Sequence, residues 1–146
     1  MDLKTAGRAP GAARAGDFAR FRIYVIFTTL EQTKAAIRRA EELSAGLNSK
    51  ITLLLTPVVP YPLPLDQPPT SIGFAQERVR ILAGIAGRQL EAHVYLCRDP
   101  LRVLQLVLPP HSLVVIGGRR GWPFEKSERL ARKLRRRGHQ VITATQ

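Results

Sequence analysis

Cysteine is almost missing from this sequence: Cys97 is the only one in 146 residues. No internal disulfide can form, and a reducing, cytoplasmic location is expected. Cys97 follows an apolar run and reads as a small buried hydrophobe. Long apolar runs are missing too. The most apolar stretch, 53–65, carries Pro57, Pro60, Pro62 and Pro64, whereas a spanning helix takes about 20 unbroken apolar residues. Residues 1–19 lack the continuous apolar stretch of a secretory signal. His93, His111 and His139 have no metal-ligand spacing, so no metal site is expected. No Ser-His-Asp set, carboxylate pair or Cys-His pair can be placed, which argues against an enzyme. Acidic residues are scarce: 11 Asp and Glu stand against 23 Lys and Arg, a formal charge of +12. Such a surface attracts polyanions. A solvated basic surface and an anion-binding face both fit this balance.

Hydrophobic residues make up 45% of the chain, enough for one core in a domain of ordinary size. Residues 1–19 are rich in Ala, Gly and Arg without apolar periodicity, and read as a flexible basic tail. The folded domain is expected over 20–146. The run 23–27 is β-branched and aromatic, as in a strand buried on both faces. Thr28 with Glu31, and Thr29 with Gln32, have capping-box spacing, so a helix should follow. A second buried strand is expected at 51–55. Prolines then exclude 57–64 from a sheet interior. Thr70 or Ser71 can cap a second helix with Ala75, Val79, Leu82 and Ala86 facing inward. The stretch 90–96 alternates, predicting an edge-like strand with Glu91, His93 and Tyr95 on a wet face. Asp99-Pro100 starts a helix, whose apolar stripe is Leu101, Leu104 and Leu108. A fourth strand is expected at 113–116, a last helix at 125–137 and a short final strand at 140–144. Strands alternating with helices predict an α/β fold: a three-layer sandwich around a five-stranded, mainly parallel sheet.

This order resembles the universal stress protein family over about 20–145. The resemblance rests on the early core strand, the proline-bearing excursion after strand two, Leu113-Val114-Val115-Ile116 running into Gly117, and an Arg-Gly turn before the last helix and strand. It implies that strand one lies beside strand four, so that Thr28 and Thr29 face Gly117-Gly118-Arg119-Arg120-Gly121 across a crevice. ATP-binding members carry an aspartate just after strand one, where this chain has Phe27-Thr28-Thr29. They also carry Gly-x2-Gly-x9-Gly-Ser/Thr. Gly118-Arg119-Arg120-Gly121 matches the first half, but Ala131-Arg132 stands at the second, and Ser127 is a nearby hydroxyl out of register. ATP or AMP is therefore the cofactor class the family implies, and ATP binding of the family's geometry is expected to be weak or absent. The resemblance also implies a homodimer through the last strand, near Val141, Ile142 and Thr143, whose open edge needs a partner.

Several readings stay open. Thr28 and Thr29 are helix caps or ligand contacts. The loop beginning at Gly117 is a plain glycine turn with solvated arginines, or an anion site to which Ser127 contributes. Arg129, Arg132, Lys133, Arg135, Arg136 and Arg137 make the last helix basic, either as a solvated face or as a nucleic-acid contact. No nucleic-acid motif or aromatic interleaving accompanies them. Trp122 and Phe124 sit together in one turn and are expected to pack. The expected function is a non-catalytic, stress-response-type binding or regulatory module, with a small phosphate-containing ligand. The alternatives are a nucleotide-binding protein with a degenerate motif and a basic nucleic-acid-associated protein.

Overall fold

The computed structural model describes residues 3–4, 21–45, 49–59, 71–86, 90–118 and 126–145. Along the chain these form β1 (Leu3–Lys4), β2 (Phe21–Ile26), α1 (Leu30–Ser44), β3 (Ser49–Leu55), α2 (Ser71–Ala86), β4 (Leu90–Val94), α3 (Pro100–Val107), β5 (Leu113–Gly118), α4 (Lys126–Arg136) and β6 (Gln140–Thr145). The strands make one sheet in the order β1-β4-β3-β2-β5-β6, and every pairing is parallel. The expected five strands are all present. The two-residue β1 adds a sixth from within the stretch read as a tail, pairing Leu3 with Ala92 and Lys4 with His93. The rest of that stretch, 5–20, lies outside the described residues.

Side chains alternate across a strand, so each strand feeds two layers. Ile23, Val25, Ile51, Leu53, Ala92 and Val115 turn to one face and pack with Ala36, Ile37 and Ala40 of α1 and Val79 and Leu82 of α2. Tyr24, Ile26, Leu54, Val114, Ile116 and Val141 turn to the other and pack with Leu104 and Val107 of α3 and Ala131 and Leu134 of α4. This is the three-layer sandwich. The central strands pair as expected, Ile23 with Leu113 and Ile26 with Ile116. Local signals set the helix starts. Thr29 is the N-cap of α1 and accepts from the Gln32 N–H at 3.2 Å. Asp99 caps α3, accepting from the Leu101 N–H at 3.2 Å, with Pro100 in the first turn. At the far end of α4, Gly138 adopts φ +95°, the left-handed turn that glycine tolerates.

One expectation is overturned. Glu91, His93 and Tyr95 do not form a wet face: they are 8%, 3% and 5% exposed. β4 is not an outer strand, because β1 pairs along its free side. The buried charges are matched in place. Lys50 Nζ lies 2.6 Å from Glu91 Oε2, and His93 Nε2 lies 2.9 Å from Glu91 Oε1. Burial alone raises the Glu91 pKa, but hydrogen bonds from Lys50 and His93, with their charges, outweigh it and hold it below the usual range. The His93 and Tyr95 rings stack at 6.2 Å. Alternating polarity therefore marks a buried ion cluster here, which periodicity cannot tell from a solvated face.

Candidate functional site

Parallel sheets bind ligands at the carboxyl ends of their strands, where the winding direction reverses. From β2 the chain winds outward through β3 to β4, and it returns to place β5 on the other side of β2. The reversal therefore falls between β2 and β5. Their carboxyl ends carry Thr28 and Thr29 on one side and Gly117 and Gly118 on the other, the neighbouring strand ends that the family resemblance implied.

The two glycines serve different neighbours. A Cβ at Gly117 would overlap the backbone carbonyl of Gln32, because the first turn of α1 presses directly on β5. A Cβ at Gly118 would sit 2.8 Å from Thr143 Cγ2 and 3.6 Å from Ser127 Oγ. Ser127 is thus beside the glycine strand end, although it is out of register by motif counting. The positions that counting selects lie farther along α4: Ala131 is fully buried in the core and Arg132 is exposed.

Two hydroxyls at this end have no protein partner. Ser127 is 3% exposed, and its Oγ makes no hydrogen bond. Thr28 Oγ1 is likewise buried and unpartnered, while the Thr28 N–H donates to Thr33 Oγ1 at 3.1 Å. Buried polar groups nearly always find partners, so these two orphans near the carboxyl ends of β2 and β5 stand out, although the hydroxyls of Ser49 and Thr52 on β3 are orphaned as well. Thr29 differs: its hydroxyl is engaged in capping. Arg119, Arg120, Gly121, Trp122 and Phe124 lie outside the described residues.

Other chemistry is poorly supported. Burial, then Asp99, pushes the Cys97 thiol up to about 11, so it is not a thiolate at neutral pH. Among the described residues no group of His, Cys, Asp and Glu could hold a metal ion, and no helix is long and apolar enough to cross a membrane. A depression lies beside the glycine strand end, between α1 and β6, lined by Lys34, Arg38, Arg39, Glu42, Ala144 and Thr145 among others; Ala144 and Thr145 are the β6 partners of Gly117 and Gly118. It is open, and four of its charged side chains form two pairs, Lys34–Glu31 and Arg39–Glu42, both at 3.0 Å.

No family model matches the sequence, and no curated protein matches it. Solved structures do. UspA from Lactobacillus plantarum, a universal stress protein, superposes with a TM-score of 0.61 at 15% identity, over 86% of this chain and 99% of that one. The fold is that of the universal stress proteins. The universal stress protein from Archaeoglobus fulgidus gives 0.61 at 14% identity, over 88% and 96%. A universal stress protein solved in complex with cAMP gives 0.56 at 12%, over 86% and 97%. Within this universal stress protein fold β6 is an outer strand. The Gln140 N–H donates to Ser112 O of the β5 side at 3.0 Å, so the Val141 backbone groups point outward. Arg135 Nη2 donates to Val141 O at 3.0 Å and covers part of that edge. The Val141 side chain is core, 9% exposed, and Ile142 packs partly on the α1 layer. What β6 offers a partner is mainly backbone.

Proposed function

We propose that this chain is a non-catalytic, stress-response-type binding or regulatory module of the universal stress protein kind, which takes a small phosphate-containing ligand at the carboxyl ends of β2 and β5. The observation that carries the reading is the pair of buried, unpartnered hydroxyls, Thr28 Oγ1 and Ser127 Oγ, on either side of Gly117 and Gly118. Ser127 stands in the first turn of α4, where helix N–H groups and the helix dipole favour an anion. Arg119 and Arg120 follow Gly118 in the sequence and supply further positive charge. The cAMP complex of a protein with this fold supports a cyclic or monophosphate nucleotide as the first ligand to try. Phe27-Thr28-Thr29 offers no carboxylate for an adenosine-side contact, and Ala131-Arg132 stands where the family's phosphate-side Gly-Ser/Thr pair would be, so ATP binding of the family's geometry should be weak or absent.

The test is thermal unfolding with AMP, cAMP, ATP and inorganic phosphate, on wild type and Ser127→Ala. A ligand that binds only the native state raises Tm. At least one should stabilise wild type and fail to stabilise the variant. If none of the four acts, or if the variant responds equally, the reading is wrong. The open edge of β6 also supports a homodimer formed by strand addition. In that arrangement Arg135 competes with the partner strand for Val141 O, and Arg135→Ala should strengthen dimerisation by light scattering. A monomer in both proteins rejects the dimer.

A further inference from the structure

We propose that the outward face of α4 is a contact surface for the phosphodiester backbone of duplex DNA, bound without regard to sequence. Ser127, Ala131 and Leu134 are the buried positions of this helix. Their spacing leaves Arg129, Lys133 and Arg136 on the opposite side, with Lys126 and Arg132 flanking; all five are exposed. The one acid of the helix, Glu128, is on its flank, 3.8 Å from Arg135, and does not interrupt the outward row. Arg129 to Arg136 spans about 10 Å of helix, and duplex DNA carries one charge per about 1.7 Å of its axis. Counted along one strand, at about 3.4 Å per charge, the row matches about three phosphates. The positive surface continues onto α3 through Arg102, which is exposed. It also includes Arg137, whose Nε and Nη2 lie 3.2 and 2.9 Å from the Gln105 side-chain oxygen once that amide is turned to accept them.

The chemistry selects among polyanions. No residue of α4 is aromatic, so the surface lacks the stacking platforms that favour single strands. Its apolar stripe is already used in the core, whereas a helix that lies on a membrane keeps an apolar face for the lipid. The row has no aromatic or aliphatic anchor of the kind that dominates protein–protein interfaces. Charge elsewhere is handled differently: on α1, Lys34 pairs with Glu31 and Arg39 with Glu42.

The experiment measures fluorescence anisotropy of a random-sequence duplex of about 25 base pairs between about 50 and 200 mM salt. It compares wild type with the triple variant Arg129→Gln/Lys133→Gln/Arg136→Gln and the control Lys34→Gln/Arg38→Gln/Arg39→Gln, which removes equal charge from α1. Wild type should bind. The α4 triple should weaken binding at least about 10-fold at the lowest salt and lower the salt slope by about 2 to 3. The control should stay within about 3-fold of wild type. Equal losses in the two triples would mean bulk charge alone and would overturn the proposal. So would absence of wild-type binding, or tighter binding to a single strand of the same length. Binding to phosphatidylserine vesicles without binding to duplex would assign the surface to a membrane and equally reject the proposal. Ser127 is untouched in every arm, so the outcome is independent of the small-ligand reading.

Discussion

Helices α1 and α4 both lie against the β5–β6 side of the sheet, on opposite faces, and they handle charge and contact in opposite ways. α1 carries Glu31, Glu41 and Glu42 against Lys34, Arg38 and Arg39. α4 carries six cations against Glu128. α1 presses its backbone onto Gly117, with no space for a methyl group. α4 brings a hydroxyl near Gly118 and leaves it unsatisfied. Self-neutralised charge and backbone contact suit a helix that holds the sheet together. An excess of positive charge and an orphan hydroxyl suit a helix that meets something else. On the readings proposed above, the two sides of one sheet divide structural support from recognition.

The largest expected effect breaks the α1 side. Gly117→Ala forces a Cβ into the Gln32 carbonyl and should cost on the order of 3 kcal/mol, read as a lowered urea midpoint. Gly118→Ala meets chiefly the methyl of Thr143, a side chain that can shift, and should cost about 1 kcal/mol or less. Equal losses would mean that α1 is not the more tightly seated helix.

The next test compares the two helix starts and expects opposite signs. Thr29→Ala removes a working cap and should destabilise by about 1 kcal/mol. Ser127→Ala removes a buried hydroxyl that has no partner, and without ligand should be neutral or stabilising by up to about 1 kcal/mol. Destabilisation by Ser127→Ala in the absence of ligand would show that this hydroxyl already has a structural role.

Acid should loosen the α4 side through His139, which follows that helix. Its Nδ1 accepts from the Ser112 N–H at 3.1 Å, so that nitrogen must be unprotonated. Burial, then the charge of His111, lowers its pKa. The unfolded chain, with a histidine near 6.5, then binds more protons than the folded chain just below that pH. The His139 contribution is complete above about 6.5 and is lost as pH falls toward the lower folded value. Urea midpoints at pH 7.5 and 5.5 should show the fall, and His139→Asn should flatten it. A variant that keeps the same fall would place the titration elsewhere. The smallest effect is electrostatic: added salt screens repulsion along α4 and should stabilise the chain by a few tenths of a kcal/mol. Lys133→Glu should reduce that gain, whereas Lys34→Glu should not. Identical salt responses would erase the charge contrast between the helices.

The fold was largely legible because its signals are local. Continuous apolar runs at 23–27 and 113–116 marked the central strands, and Asp99-Pro100 and Thr29 marked helix starts within a residue or two. The site was legible only in part. Motif counting along the chain selected Ala131 and Arg132, because counting assumes a fixed number of residues between the glycine strand end and the start of α4. The Gly118–Ser127 contact follows from where that helix begins in space. The one detectable sign of Ser127 was its hydroxyl near a glycine cluster.

By itself the sequence determined the order and type of the elements, the central place of β2 and β5, and the excess of positive charge. Those depend on residue type and on spacing within a few positions. Tertiary structure alone decided that Glu91, Lys50 and His93 share a buried cluster, that Gly117 yields to Gln32, and that Ser127 joins Thr28 at one end of the sheet. Each of these joins residues from different elements, and their distances are set by sheet order and helix packing. The same holds for the charge contrast. Cations at similar spacing are paired on α1 because Glu31 and Glu42 lie within reach, and stand as a row on α4 because its buried positions turn Arg129, Lys133 and Arg136 outward together.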